Sequence, residues 1–406
     1  MVRNLGAGSK LFLLAGLTGL TSGIAVADTG QIHIDARLRY EAVEQTGKLD
    51  AEAFTLRTRL GWTSPQVSGL SLLAEIENVV DLGGDRNSGL NGQTTFATIK
   101  DDDNTELQRL RLDWQPSEQL SVQLGRQHLS FDNGRFIGSP GWRQDKTSHD
   151  AALARFSFGD ITASYAYHWR INRGPGEDFD WDTDSHLFNL AVRPRENLTI
   201  SGFAYLIDLT DAAAPADRSN ATFGVRVVGQ APLGDWTLGY NAMAATQNEY
   251  GSASVDYTLG YFGGELSLAR DGWRVRAGAE SLEGDGTRAV SNPLSSNHGT
   301  AGWADAIHGG GAMAPADGVN LVYLGGRYGR DVDAGFIRSY AFGFTAWDFE
   351  FERTGADLGE ELDLFAQFGL TDQVDLHIQY ADYDGIEANG APADRTKSWV
   401  FLTYRR

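Results

Sequence analysis

Arginine is the residue best placed to do chemistry in this chain, and it recurs at a fixed spacing. Arg-x-Arg occurs at Arg37/Arg39, Arg57/Arg59, Arg109/Arg111 and Arg274/Arg276. In an extended strand residues i and i+2 share a face, so each pair aims two guanidiniums the same way. A guanidinium stays charged at every relevant pH and forks onto carboxylates, so such a face attracts anions. Arg155, Arg170, Arg193 and Arg226 can join it. Glu75 and Glu77 share one face of a strand that lies between two arginine-bearing ones, so cross-strand Arg–Glu pairs are expected. Asp35, Asp113, Glu265, Glu280, Asp363 and Asp375 add acid. Two readings stay open: the charges brace a water-filled wall, or they form an anion-selecting ladder tuned by carboxylates.

The elements that must position these charges are strands. Eighteen segments of about ten residues alternate in polarity, near 30–42, 52–63, 70–80, 105–115, 119–128, 148–158, 161–170, 185–193, 197–208, 221–230, 235–247, 255–269, 273–282, 319–330, 336–349, 361–370, 373–383 and 397–405. The connectors alternate short and long without a break. "TSPQVSG", "QPSEQ", "GD", "PREN", "APLGD", "RDG" and "TDQ" are short; 81–104, 129–147, 171–184, 209–220, 283–318 and 384–396 are long. That pattern predicts an all-β, antiparallel up-and-down transmembrane barrel of about 18 strands, with short periplasmic turns and long extracellular loops.

The faces agree. In "FTLRTRLGW", Phe54, Leu56, Thr58, Leu60 and Trp62 oppose Thr55, Arg57, Arg59 and Gly61. In "LQRLRLDW", Leu110, Leu112 and Trp114 oppose Arg109, Arg111 and Asp113. Apolar residues toward lipid and polar ones toward a lumen satisfy a bilayer, because a closed barrel leaves no unpaired backbone in hydrocarbon. Trp62, Trp114, Trp236 and Trp273 fall on the apolar face beside short turns, as one interfacial belt would. Trp169, Trp347 and Trp399 fall near long loops, where a second belt is expected.

The only continuous apolar stretch is at the start. Arg3 and Lys10 precede an apolar run over 11–20, and Ala25-Val26-Ala27 closes it, which reads as a secretory signal over 1–27 with the barrel in 28–406. The run is too short for a spanning helix. The expected location is the outer membrane of a Gram-negative cell, in contact with lipid and lipopolysaccharide. Losing Arg3 and Lys10 takes the formal charge from −20 to −22, which argues against nucleic acid as a partner. There is no cysteine, no metal or cofactor is implied, and the remaining lysines, Lys48, Lys100, Lys146 and Lys397, lie in or beside long loops. The run Asp101-Asp102-Asp103 offers oxygen ligands for calcium, or is a solvated loop.

One loop stands out. "GRQHLSFDNGRFIGSPGWRQDKTSHDA", residues 125–151, packs charge, glycine and a tryptophan between two half-apolar strands. With "LRLDW" before it, the stretch resembles the alginate-export family of outer-membrane barrels, which carry a similar "GRQ…D…RF(V/I)G…GWRQ…(F/H)DA" block. Residues 292–326 look like that family's long loop before a late strand. The resemblance implies a monomeric eighteen-stranded barrel passing an anionic exopolysaccharide through an arginine-rich constriction. It gives Arg126, Asp132, Arg135, Trp142, Arg143 and Asp150 the role of an inward-folded, pore-narrowing loop. Strand parity sets Arg126 on the face of Leu124, so a bulge must turn it inward if it lines the pore. The proline in "GSPG" and the ending "FLTYRR" depart from the family.

The function expected is a passive channel for anionic solutes, an oligosaccharide or an exopolysaccharide such as alginate, handed to it by a periplasmic partner. The alternative is a general or small-nutrient porin of different selectivity. The pore-lining bases are then Arg37, Arg39, Arg57, Arg59, Arg109, Arg111, Arg155, Arg274 and Arg276, and the pore acids Glu75, Glu77 and Asp113. A barrel hydrolase is disfavoured: His33, His128, His149, His168, His186, His298, His308 and His377 form no Ser–His–Asp grouping in the sequence.

Overall fold

The structure, a computed structural model, describes residues 29–174, 176–211, 218–295, 297–307 and 315–406. The secretory segment 1–27 and His308 lie outside the described residues. The strands are β1 Gln31–Gln45, β2 Ala51–Thr63, β3 Leu70–Gly83, β4 Asn104–Trp114, β5 Leu120–Gln127, β6 Ser148–Phe158, β7 Ile161–Asn172, β8 Trp181–Arg195, β9 Leu198–Ile207, β10 Asn220–Leu233, β11 Trp236–Glu249, β12 Thr258–Arg270, β13 Trp273–Leu282, β14 Val319–Ala334, β15 Ile337–Glu350, β16 Asp357–Gly369, β17 Val374–Gly385 and β18 Arg395–Arg405. Each pairs antiparallel with its neighbours in sequence, and β1 pairs with both β2 and β18, so the 18-stranded sheet closes on itself. No helix among the described residues is long and apolar enough to cross a membrane; the strands cross it.

The outward face carries Leu60, Trp62, Leu112, Phe156, Leu190, Leu266, Phe344 and Leu402, all exposed. So much exposed apolar surface marks a face that meets hydrocarbon rather than water. Trp62, Trp114, Trp236 and Trp273 are exposed on it at the short-turn end. The second belt fails for two of its three members. Trp347 and Trp399 are buried on the inward face, where Trp347 Nε1 donates to Asp363 at 2.7 Å. The strict alternation of connector length also fails, since the outer connectors at 46–50 and 351–356 are short.

The lumen is not polar throughout. Its outer half holds a hydrophobic core in which Leu129, Phe131, Phe136 and Ile137 of the β5–β6 loop (residues 128–147) and Leu294, Ala304 and Ile307 of the β13–β14 loop (residues 283–318) pack against Phe203, Tyr205, Tyr261, Leu282, Phe349 and Trp399 of the wall. The inward strand ends are therefore apolar where loops cover them and charged below.

Candidate functional site

Two loops fold into the barrel and meet. The amide of Gly138 donates to the carbonyl of Leu294 at 2.7 Å, and Arg135 Nη1 donates to Thr300 Oγ1 at 2.7 Å. Trp142 stacks on His298 with ring centroids 3.9 Å apart and meets Trp399 edge-on at 5.1 Å. His298 Nδ1 lies 3.0 Å from Asp305, which Lys397 also holds at 2.8 Å. Burial pushes the Asp305 carboxyl up, but Lys397 and His298 outweigh it and hold it well below the usual range. At Gly302 (φ 80°) a Cβ would lie 2.4 Å from Glu361 Oε2, so only glycine lets the loop lie this close to β16. No hydroxyl hydrogen-bonds His298 among the described residues.

Beneath residues 141–146 lies the first arginine group, and it is covered. Arg37 has no carboxylate partner among the described residues. Its guanidinium donates to Gln144 Oε1 at 2.8 Å and to the carbonyls of Gly141, Trp142 and Arg143 at 3.2, 2.9 and 2.5 Å. Arg39 bonds the Trp142 carbonyl at 2.6 Å and is ion-paired with Asp101 and Glu41. Arg143 reaches Glu41 at 3.1 Å, and the Gln144 amide donates to Asp101 at 2.9 Å. Burial raises the Asp101 carboxyl, but Arg39, Arg143 and the Gln144 amide overcome this and hold it below its usual value. Asp101 is thus engaged by cations of the protein, while Asp103 is exposed and accepts from the Asp81 amide. Arg57 pairs with Asp35, and Arg59 with Glu77. Arg37, Arg39, Arg57 and Arg59 face inward but are buried; Arg37 and Arg39 hold the loop, and Arg59 borders the inner cavity.

The second arginine group is accessible. Arg274 and Arg276 on β13 flank Glu265 at 3.3 and 3.2 Å, with side chains 53% and 34% exposed. Tyr323 donates to Glu265 at 3.0 Å and lies under Arg276 at 5.1 Å. Arg155 contacts Gln123 at 3.4 Å, and Arg111 pairs with Asp113 at 2.9 Å. Between the two groups, Arg109 forks onto Glu75 at 2.9 and 2.7 Å. It borders a polar cavity of about 480 Å³ in the inner half of the lumen.

The loop residues separate. Asp132 accepts from Tyr205 at 2.8 Å and Asn189 at 2.9 Å, and Arg135 pairs with Glu280 at 2.6 Å, fixing the loop to the opposite wall. Trp142 and Arg143 lie between the two loops and β1. Arg126 and Asp150 do not narrow the pore. They pair in register with each other and with outward-facing Leu110, and fork together at 2.9 and 3.2 Å. Parity decides this, and no bulge reverses it: Gly125 (φ 113°) allows a 2.3 Å approach of its would-be Cβ to Leu110 O without changing the register.

Sequence reasoning did not find three features. His149 and His168 are buried side by side, ring nitrogens 3.2 Å apart, with His149 also 3.2 Å from the Gly138 carbonyl; the signal was that both lie on inward strand positions. Glu77, Glu106 and Asp145 bring carboxylate oxygens within 4.8 Å of one another. Burial, then Glu106 and Glu77, push the Asp145 carboxyl up to about 9, so Asp145 holds its proton at neutral pH. The third is Lys146, taken up below.

No protein-family model and no curated protein sequence matches the chain. Solved structures do. Acinetobacter baumannii OccAB4 is similar with a TM-score of 0.70 at 11% identity, covering 93% of this chain and 98% of its own. Pseudomonas aeruginosa OccK9 (OpdG) gives 0.70 at 14%, covering 92% and 97%. The outer membrane protein opdK of Pseudomonas aeruginosa gives 0.67 at 13%, covering 93% and 98%. At these identities the likeness is one of fold. The closed barrel, its apolar outer band and inward loops define an eighteen-stranded outer-membrane barrel of porin architecture.

Proposed function

We propose that the protein is a passive outer-membrane channel for small anionic solutes, acting as a monomer. The observation that carries this is the accessible arginine group, Arg274 and Arg276 with only Glu265 between them, on the lumen face below the point where the two inward loops meet. Several weak cationic stations favour entry of an anion and still let it leave. The second reading, export of an anionic exopolysaccharide such as alginate with a periplasmic protein delivering it, is favoured by the 125–151 block. The packed core in the outer half of the lumen speaks for small solutes over a polymer.

Single-channel recording of protein purified from outer membranes tests this. Under a salt gradient the wild type is expected to prefer anions, and Arg274→Ala with Arg276→Ala to lower that preference several-fold while leaving folding intact. Cation preference in the wild type removes the reading; blockade by long oligouronates but not by monomers moves it to polymer export.

A further inference from the structure

The inward β5–β6 loop lowers one lysine onto the polar cavity and leaves it without a partner. Lys146 lines that space together with Arg59, Glu75, Arg109, His128 and Arg405. Three of the arginines there are engaged, Arg59 with Glu77, Arg109 with Glu75, and Arg405 with Asp35 and Asp375; the fourth, Arg406, is exposed and, among the described residues, held only through its backbone, by Ile34. The backbone of Lys146 is held, its N–H by Glu77 at 3.3 Å and its carbonyl by Gln108 at 2.7 Å. Its ammonium makes no hydrogen bond or ion pair among the described residues. The stem is positioned too, since a Cβ at Gly141 would lie 3.2 Å from Lys146 Cδ. A half-buried, fixed, unpaired ammonium facing a cavity is an unfilled half of a charge-assisted hydrogen bond. At about 480 Å³ the cavity falls in the size range of pockets that take one small organic molecule.

We propose that Lys146 is the carboxylate-binding subsite of this lumen, holding one carboxylate of a small permeant in the cavity during passage. This rests on the anion-channel reading and names the group that grips the anion. Lysine differs from the surrounding arginines in that it can lose its proton. Burial, and then Arg59 and Arg109, press Lys146 down to about 8. The charged groups facing it are Asp35 from β1, Arg57 and Arg59 from β2, Glu75 and Glu77 from β3, Glu106 and Arg109 from β4, His128 and Asp145 from its own loop, Arg405 from β18, and Arg406 just beyond it. His33 on β1 also borders the cavity. The arginines keep their charge. Burial holds His128 down at about 2, so it stays neutral. Asp145, near 9, ionises in the same interval and adds its own repulsion of anions. Binding should therefore weaken as pH rises through this range.

The experiment is block of the open channel in planar bilayers by glucuronate, with glucose as neutral control, at about pH 6 and about pH 10. Wild type is expected to bind glucuronate about tenfold more weakly at the higher pH, the size of one lost charge-assisted contact. Lys146→Met should bind it weakly at both. Lys146→Arg should restore block and remove most of the pH dependence. Wild-type block in Lys146→Met overturns the subsite, and a full pH fall in Lys146→Arg assigns the titration to Asp145 and overturns the lysine's part. The ion preference recorded alongside separates the failures. If it stays anionic in every variant, only the Lys146 subsite falls; if the wild type prefers cations, the channel reading falls with it.

Discussion

Arg37 and Arg39 on β1 and Arg274 and Arg276 on β13 share one motif, one strand geometry and one face, yet they do opposite things. The first pair is buried under residues 141–146 and bonded to their carbonyls. The second stands in the lumen with a single carboxylate between them. The difference is not local. Strand parity sets which way a side chain points, whereas what covers it arrives from a loop more than a hundred residues away in sequence. A guanidinium under such a loop is an anchor, and the same guanidinium in water is a solute site.

The comparison can be broken at Asp101. Asp101→Ala leaves Arg39 buried with only Glu41, and removing one partner of a buried ion pair costs about 3–5 kcal/mol. The expected result is a lower thermal midpoint and a larger open-channel conductance as residues 141–146 leave the wall. Unchanged conductance would show that β1 does not hold the loop. The same group sets an acid limit. Because the carboxyl of Asp101 is depressed in the fold, its contribution is fully present above the unfolded value near about 4 and is lost as pH falls through the folded one. Conductance should therefore be steady at neutral pH and rise only in strong acid, as a pH titration of current would show. Gln144→Ala should act in the same direction but less, about 1–3 kcal/mol for an unsatisfied buried Arg37 donor, read as a smaller shift of the midpoint. At the low end, Arg405→Ala removes an exposed partner of Asp35 and Asp375 and should change stability by no more than about 1 kcal/mol.

All eighteen strands were legible in the sequence, because lipid on one side and a lumen on the other impose period two on each strand separately. The Arg59–Glu77 and Arg109–Glu75 pairs were also legible, since antiparallel neighbours oppose one another. Trp399 was legible in principle: Val400 and Leu402 face out, so Trp399 must face in. The covering of Arg37 was not legible. Nothing near Arg37 in sequence announces that the carbonyls of Gly141, Trp142 and Arg143 will satisfy it. The same holds for the meeting of Trp142 with His298, which depends on two loops docking on each other. Arg126 shows the reverse case, where resemblance pointed inward and parity, correctly, pointed out.

The way Arg37 is satisfied has a consequence for variation. Its guanidinium grips three successive carbonyl oxygens, and every amino acid supplies the same carbonyl. The dock therefore recognises the path of the chain and is nearly blind to the letters at 142 and 143. A replacement at 142 or 143 keeps this grip on the backbone and gives up only what the side chain itself held, the stack on His298 or the pair with Glu41.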